Sequence, residues 1–117
     1  IQEYVLANKK IKAKFKLLFN DHSIQKIGVF GASGGLTALI NILNFEEIQR
    51  IKYIYDNDSV KHGKKIYGCD VIISPPDSLY SDEFDRVLIS SYLFDKEIRK
   101  QLLDCGVESK KIISFCE

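Results

Sequence analysis

The stretch from residue 27 to residue 37, IGVFGASGGLT, constrains the fold of this chain more than any other. A short apolar run leads into Gly31, Gly34 and Gly35, and apolar residues at helical spacing follow at once. This order is typical of a buried parallel strand that turns into a helix. At such a turn the first amides of the helix have no partner within the helix, and the positive end of its dipole faces the same way. The sequence therefore predicts a turn that can bind an anion.

Composition indicates one globular domain. The chain has 117 residues, enough for a hydrophobic core, and its 45% apolar and 28% charged residues are ordinary values. No apolar run approaches the roughly 20 residues of a membrane span, and the N-terminus lacks the apolar segment of a signal peptide. We therefore expect a cytoplasmic domain that contacts no membrane. Because the chain opens on Ile and contains no Met, we expect it to be part of a longer protein.

Charge is distributed unevenly along the chain. Residues 1–26 carry six Lys against Glu3 and Asp21, a balance of +4, while the remainder carries eleven basic and fourteen acidic residues, a balance of −3. A nucleic-acid-binding domain more often has a strongly basic surface with interleaved aromatic residues. The mildly acidic body of this chain therefore predicts no nucleic-acid partner.

Cysteine and histidine usage gives no sign of a metal site. The three cysteines, Cys69, Cys105 and Cys116, have no C-x-x-C spacing, and neither histidine has a partner at ligand spacing. This usage favours unpaired thiols in a reducing compartment and predicts no metal.

Strand and helix patterns alternate after the first 23 residues. The predicted strands cover residues 27–30, 51–55, 71–73, 84–90 and 112–115. Asn44 is predicted to end the helix after the first strand, prolines 75 and 76 to begin a short helix, and Gly106 to follow the last helix as its C′ residue. With right-handed crossovers, residues 24–117 are predicted to form an α/β, three-layer Rossmann-like domain with a five-stranded parallel sheet of order 3-2-1-4-5.

Residues 1–22 are predicted to form an N-terminal docking helix with two apolar stripes. The first stripe comprises Tyr4, Ile11, Phe15 and Leu18, and the second comprises Leu6, Ala13 and Leu17. One stripe is enough to dock the helix on its own domain. For the second we weigh two interpretations: packing against the remaining domains of the chain or a second protomer, and a few tolerated surface apolar residues.

The candidate site lies where the predicted strand order reverses, at the carboxyl ends of the strands. The residues predicted to bind a nucleotide there are Gly31, Ser33, Gly34, Gly35, Thr37, Asp56, Asn57, Ser91 and Tyr92. This set contains no nucleophile–base pair and no carboxylate pair with a division into acid and base. We therefore predict a binding surface without catalytic residues. Asp82, Glu83 and Asp85 are interpreted as a solvated turn.

The glycine turn departs from the G-x-G-x-x-G dinucleotide fingerprint at two positions. Ser33 replaces the middle glycine and adds a hydroxyl, and Leu36 replaces the last, which predicts looser packing of helix on strand. Phosphate binding through amides, with a hydroxyl from Ser33 or Thr37, stays open. The alternative is that the glycines only make a tight turn.

Asp56 follows the second strand, 21 residues after Gly35, near the separation expected of an acid that binds a ribose diol. The alternative is an Asx-type turn with Asn57 and Asp58. A carboxylate there repels a 2′-phosphate, so NAD or a nucleoside diphosphate fits better than NADP. Which of these is bound, if either, stays open.

Two further groups flank this position. Four basic residues flank Gly63 in the sequence: Lys61, His62, Lys64 and Lys65. Their side chains either contact a phosphate or are simply solvated. Tyr92 is interpreted either as a stacking partner for a base or sugar or as a rim residue that fills space.

The ordered motifs of the chain resemble a known group. They are FGASGG, YIYDND, K-H-G-K-x-x-x-G, VIISPP, DRVLISS and E-I-x-x-Q-L-x-x-x-G. Over about residues 26–115 the chain resembles small Rossmann-like domains of bacterial sugar-biosynthesis enzymes, above all the C-terminal domain of sugar C-methyltransferases. It is also similar to the N-terminal domains of nucleotide-sugar epimerase/dehydratases and of sugar acyltransferases.

The resemblance implies a nucleotide- or nucleotide-sugar-binding module of a larger saccharide-modifying enzyme, not catalytic alone. It implies the glycine-turn role for Gly31, Gly34 and Gly35, and the ribose-side role for Asp56. One alternative is the NAD-binding half of an epimerase/dehydratase or oxidoreductase. Another is an interaction module in which the pocket is vestigial.

Overall fold

The computed structural model describes residues 2–114, without the side chains of residues 2–8 and of Ile11. The helices are α1 (Gln2–Asn20), α2 (Gly34–Ile42), α3 (Phe45–Gln49) and α4 (Asp95–Asp104). The strands are β1 (Ile27–Phe30), β2 (Ile51–Tyr55), β3 (Lys65–Ile66), β4 (Cys69–Ser74), β5 (Arg86–Ile89) and β6 (Ile112–Ser114). Short 3₁₀ turns cover Ser59–Lys61, Pro76–Tyr80 and Ser109–Lys111. Within residues 2–114, no helix combines the length and the apolar character that crossing a bilayer requires.

The sheet is mixed and has six strands in the order β3-β4-β2-β1-β5-β6. The β3–β4 pair is antiparallel and the other neighbours are parallel. The predicted five-stranded parallel sheet of order 3-2-1-4-5 is therefore wrong. The missed strand, β3, is only two residues long and has no apolar alternation to reveal it. It forms because Gly68, with a φ of +92°, lets the chain turn back so that Ile66 pairs with Cys69.

A second difference lies at Asn44. The helix predicted to end there stops at Ile42, and Asn44 instead begins α3. The Asn44 side chain accepts a hydrogen bond from the Glu47 amide at 2.9 Å, and the Glu47 carboxylate accepts one from the Asn44 amide at 2.9 Å. This reciprocal pair is a capping box. The predicted role of Gly106 is confirmed, because it follows α4 with a φ of +90° and its amide donates to the Leu103 carbonyl.

Each face of the sheet buries a core of its own. Val29 packs among the residues that α1 and α2 contribute, whereas its neighbour Phe30 packs with residues of α4 and of the Pro76–Tyr80 turn. This alternation follows from the period of two along a strand. On α1, Phe15 and Leu18 are buried, as the first stripe predicts. Tyr4, Ile11 and Leu6 lie outside the described side chains.

Buried Arg50 connects the end of α1 to α3 through hydrogen bonds. One guanidinium nitrogen donates to the carbonyl of Phe19 at 2.8 Å, in the last turn of α1, and the guanidinium lies 5.7 Å from the centre of the Phe19 ring. Two other nitrogens donate to the two carboxylate oxygens of Glu46, at 2.9 and 3.0 Å. A cation near the C-terminus of a helix satisfies orphan carbonyls and complements the helix dipole.

We expect Arg50→Met to lower the free energy of unfolding by about 2 kcal/mol, because a charged hydrogen bond to buried backbone is lost. Urea unfolding followed by circular dichroism measures the change. The control is Lys100→Met, which removes an exposed pair with Asp104 on α4 and should leave the midpoint nearly unchanged. Equal midpoints for parent and Arg50→Met would contradict the anchoring role.

Candidate functional site

The glycine turn between β1 and α2 is clamped on two sides. The Gly31 amide donates to the carbonyl of Tyr55 at 2.8 Å, and the Gly31 carbonyl accepts from the buried Ser90 hydroxyl at 2.7 Å. Gly31 has a φ of +119°, and a Cβ there would overlap the Ser90 hydroxyl. The position therefore requires glycine for both its backbone conformation and its close approach to β5.

Gly35 brings α2 against the end of β5. A Cβ on Gly35 would overlap the carbonyl oxygen of Ser90, so helix and strand meet at backbone distance. The looser packing predicted from Leu36 is wrong, because the close-approach glycine stands one residue earlier. Leu36 is fully buried in the core on the other side of the turn.

The first turn of α2 presents backbone amides at the carboxyl edge of the sheet. The Thr37 amide donates to the Ser33 carbonyl at 3.0 Å, so the amides of residues 34–36 precede the first bond within the helix. Ser33 is the N-cap residue, and its side chain makes no capping hydrogen bond. Ser33, Gly34 and Thr37 are exposed. The first amides of α2 and the positive end of its dipole therefore lie at an exposed part of the turn, a setting in which helices bind anions.

Asp56 points into the glycine turn. One carboxylate oxygen accepts from the Ala32 amide at 2.7 Å and lies 3.7 Å from the ammonium of Lys61. The other accepts from the Asp58 amide at 2.8 Å, which is the Asx-type turn of the alternative interpretation. The side chain is 14% exposed. Because a carboxylate offers about four acceptor positions, one further donor can still reach it.

The loop after Asp56 positions Lys61. Asp58 caps the Ser59–Lys61 turn by accepting from the Val60 amide at 3.0 Å. The His62 ring contacts the Asp56 carbonyl at 2.6 Å. Of the four basic residues considered for phosphate, Lys61 therefore lies beside the turn, Lys65 pairs instead with Asp70, and Lys64 is exposed.

Asn57, Ser91 and Tyr92 complete the predicted set, and their side chains have different surroundings. The side-chain amide of Asn57 exchanges two hydrogen bonds with Gln101 of α4, at 3.1 and 2.9 Å, so it is directed to α4. The Ser91 hydroxyl accepts from the Phe94 amide at 3.2 Å. Tyr92 is 41% exposed. Ser90, which the sequence places at this edge without a role, supplies the clamp.

A cavity of about 630 Å³ lies at the opposite, amino edge of the sheet. Its lining includes Leu79, Tyr80, Asp82 and Phe84. The buried hydroxyl of Tyr55 donates to Asp82 at 2.8 Å, and burial together with this hydrogen bond raises the pKa of Tyr55. No sequence pattern indicates this cavity, because its walls come from loops that are distant along the chain.

Asp85, on the rim of this cavity, makes hydrogen bonds to the segment that precedes β1. Its carboxylate accepts from the amides of Gln25 and Lys26 at 2.9 Å each, and its own amide donates to the Lys26 carbonyl at 2.7 Å. The two backbone hydrogen bonds lower the pKa of Asp85. Asp85 is partly exposed, as in a solvated turn, and these hydrogen bonds also join it to the segment before β1.

Asp85→Asn should be less stable than the parent at pH 7. Because the folded pKa of Asp85 is lowered, the stability it contributes is present above the ordinary pKa of 3.8 and is lost as the pH falls through the folded pKa. Urea midpoints measured between about pH 7 and pH 2.5 should therefore converge for the two proteins. Glu83→Gln, at an exposed carboxylate of the same loop, is the control; a gap that persists at low pH would contradict the assignment.

Gly35→Ala should destabilise the domain by about 2 kcal/mol or more, because the new methyl group meets a backbone carbonyl. Gly34→Ala is the matched control: nothing lies within 4 Å of a Cβ there, and the change should alter stability by about 1 kcal/mol or less. Urea unfolding measures both. Equal midpoints for the two variants would refute the close approach of α2 to Ser90.

Fold and turn together define a small α/β domain whose mixed sheet carries a clamped glycine turn at its carboxyl edge. The family model described as C2185-like, N-terminal, matches residues 23–113, and the chain belongs to this family. The matched segment contains the glycine turn and Asp56 but not α1. No curated protein matches the chain. The family description names no ligand or activity, so the resemblance to sugar-biosynthesis domains stays a prediction.

Proposed function

We propose that this domain binds the diphosphate of a nucleotide or nucleotide sugar at the glycine turn. The observation that carries the proposal is the start of α2, where the amides of residues 34–36 precede the first hydrogen bond within the helix and Ser33, Gly34 and Thr37 are exposed. The wider setting, a non-catalytic module of a saccharide-modifying enzyme of methyltransferase type in the cytoplasm, is part of the same proposal. It is supported by the resemblance of the ordered motifs.

Binding of the diphosphate is favoured when the amides that contact it are already fixed in the free domain. Ser90 holds both Gly31 and Gly35, so the direction of the first turn of α2 is set by contacts within the domain. Fixed donors bind an anion with less loss of conformational freedom than a mobile loop does. Ser33 and Thr37, both exposed at the same end of α2, are the side-chain donors that we assign to the same oxygens.

Asp56 is the residue that we assign to the sugar of the nucleotide. Its contact with Ala32 fixes the carboxylate next to the turn, and the acceptor position left over suits a ribose hydroxyl. A second negative group close to this carboxylate would be repelled, which favours NAD or a nucleoside diphosphate over NADP. Ser91 and Tyr92, at the end of β5, are the residues we assign to the sugar or base.

A specific observation favours a second candidate, an interaction module with a vestigial pocket. Leu93 and Phe94 follow the predicted site directly and are 86% and 60% exposed. Adjacent exposed apolar side chains are typical of protein contacts. In this case the hydrogen bonds that Asp56 accepts from the Ala32 and Asp58 amides stabilise the turn permanently, and no ligand competes with them.

Titration calorimetry with UDP, dTDP, GDP, ADP and NAD tests the first proposal. We expect at least one of them to bind with a Kd on the order of 100 μM, since a small open site buries little surface. Binding of NAD alone would favour the NAD-dependent alternative. A folded sample that gives no heat with any of these ligands would exclude nucleotide binding.

The variant Gly34→Pro removes one amide donor at the first position of α2, where proline is tolerated. Loss of one charge-assisted hydrogen bond should weaken binding about tenfold. Gly34→Ala keeps the amide, so its affinity should stay within about threefold of the parent. Unchanged affinity in a folded Gly34→Pro domain would show that the ligand does not use this amide.

A further inference from the structure

The outward side of α1 is basic and partly apolar. Side chains at helical spacing are exposed along it, and we call them the basic face: Lys9, Lys12, Ala13, Lys16 and Leu17. Leu17 is 74% exposed. Residues 9–20 include no acidic side chain, so the lysines are not neutralised along the helix. The opposite side of the helix, with Phe15 and Phe19, is buried in the core.

An acidic groove lies on the other face of the sheet, between α4 and the Pro76–Tyr80 turn. It has a volume of about 490 Å³, and its acidic lining residues are Asp77, Glu97 and Asp104. Lys100 also lines the groove and pairs with Asp104 at 2.9 Å, so the lining of the groove is negative by two charges. Tyr80 and Cys105 line both this groove and the cavity at the amino edge. Seven carboxylates and three lysines line the two together. The Tyr80 ring, 72% exposed, provides an apolar surface within this negative field.

The two surfaces match in charge and in spacing. Lys9 and Lys16 are seven residues apart on α1, and Glu97 and Asp104 are seven residues apart on α4. Seven residues are close to two helical turns, or about 10.5 Å. Two helices packed side by side can therefore bring both lysines to both carboxylates at once, and the lysine that meets Asp104 then shares this exposed carboxylate with Lys100. Leu17, one residue beyond Lys16, then has the Tyr80 ring as an apolar partner.

We propose that the basic face of one copy of this chain docks into the acidic groove of a second copy. The basic face and the acidic groove lie on opposite faces of the sheet, so the contact is heterologous. Each pairing leaves one basic face and one acidic groove open, and assembly continues with concentration unless a ring closes. None of these residues belongs to the glycine turn, so the inference stands apart from nucleotide binding.

Light scattering and sedimentation velocity at varied concentration test the proposal. At about 20 mM salt the mass should rise above the 13.4 kDa of one chain, and at about 0.5 M salt it should return to that value. Lys9→Glu combined with Lys16→Glu should weaken association at least tenfold, and so should Glu97→Lys combined with Asp104→Lys. An equimolar mixture of the two double variants should associate again, because opposite charges then meet.

The matched control is Lys52→Glu combined with Lys64→Glu, which makes the same change of net charge at exposed positions outside both surfaces. It should associate like the parent, and circular dichroism establishes that every variant is folded. A parent that stays monomeric at low salt overturns the proposal. So does association that the control reduces equally, or a mixture that stays monomeric. A monomer that binds anionic vesicles through the basic face would assign α1 to a membrane surface instead.

Discussion

The contact of Ser90 with the glycine turn is the constraint on which the candidate site depends. The Ser90 hydroxyl donates to the Gly31 carbonyl, and the Ser90 carbonyl occupies the space that a side chain on Gly35 would fill. Strand β1, helix α2 and the end of β5 therefore meet at one point, with backbone against backbone. Because that point lies at the start of α2, it also sets the direction of the unpartnered amides. The local geometry of the candidate site is therefore a consequence of core packing.

Asp56 adds an electrostatic condition to this geometry. Its carboxylate lies on the Ala32 amide, at the same turn where we propose that a diphosphate binds. Two negative groups so close would repel, and the neighbouring Lys61 reduces that cost without removing it, since its side chain is 33% exposed to screening water. In the complex that we propose, the diphosphate would therefore lie over the axis of α2, on the side of Gly34, with the carboxylate facing the sugar.

The sequence predicted those parts of the fold that local pattern determines. The first strand, the turn and the start of α2 follow from apolar runs and glycines, and Gly106 follows from helix-end chemistry. Strand β3 was missed because two residues carry no period, and α3 because the Asn44–Glu47 capping box was interpreted as a helix end. The close approach of Gly35 could not be inferred locally, since its partner, Ser90, lies 55 residues away in the chain. Asn57 was assigned to the ligand because nothing in its neighbourhood reveals its pairing with Gln101.

The sheet separates the three surfaces that carry the proposals. The glycine turn lies at the carboxyl edge, the basic face covers one side, and the acidic groove lies on the other. Within the described residues 2–114, the substituted residues share no hydrogen bond across these surfaces, so their effects should add with little coupling. A ligand at the turn and a second copy on α4 could still influence each other through one described link, the amide pair of Asn57 with Gln101, since Asn57 adjoins Asp56 and Gln101 lines the groove. If binding at one surface altered binding at the other, we would expect the Asn57–Gln101 hydrogen bonds to transmit the effect.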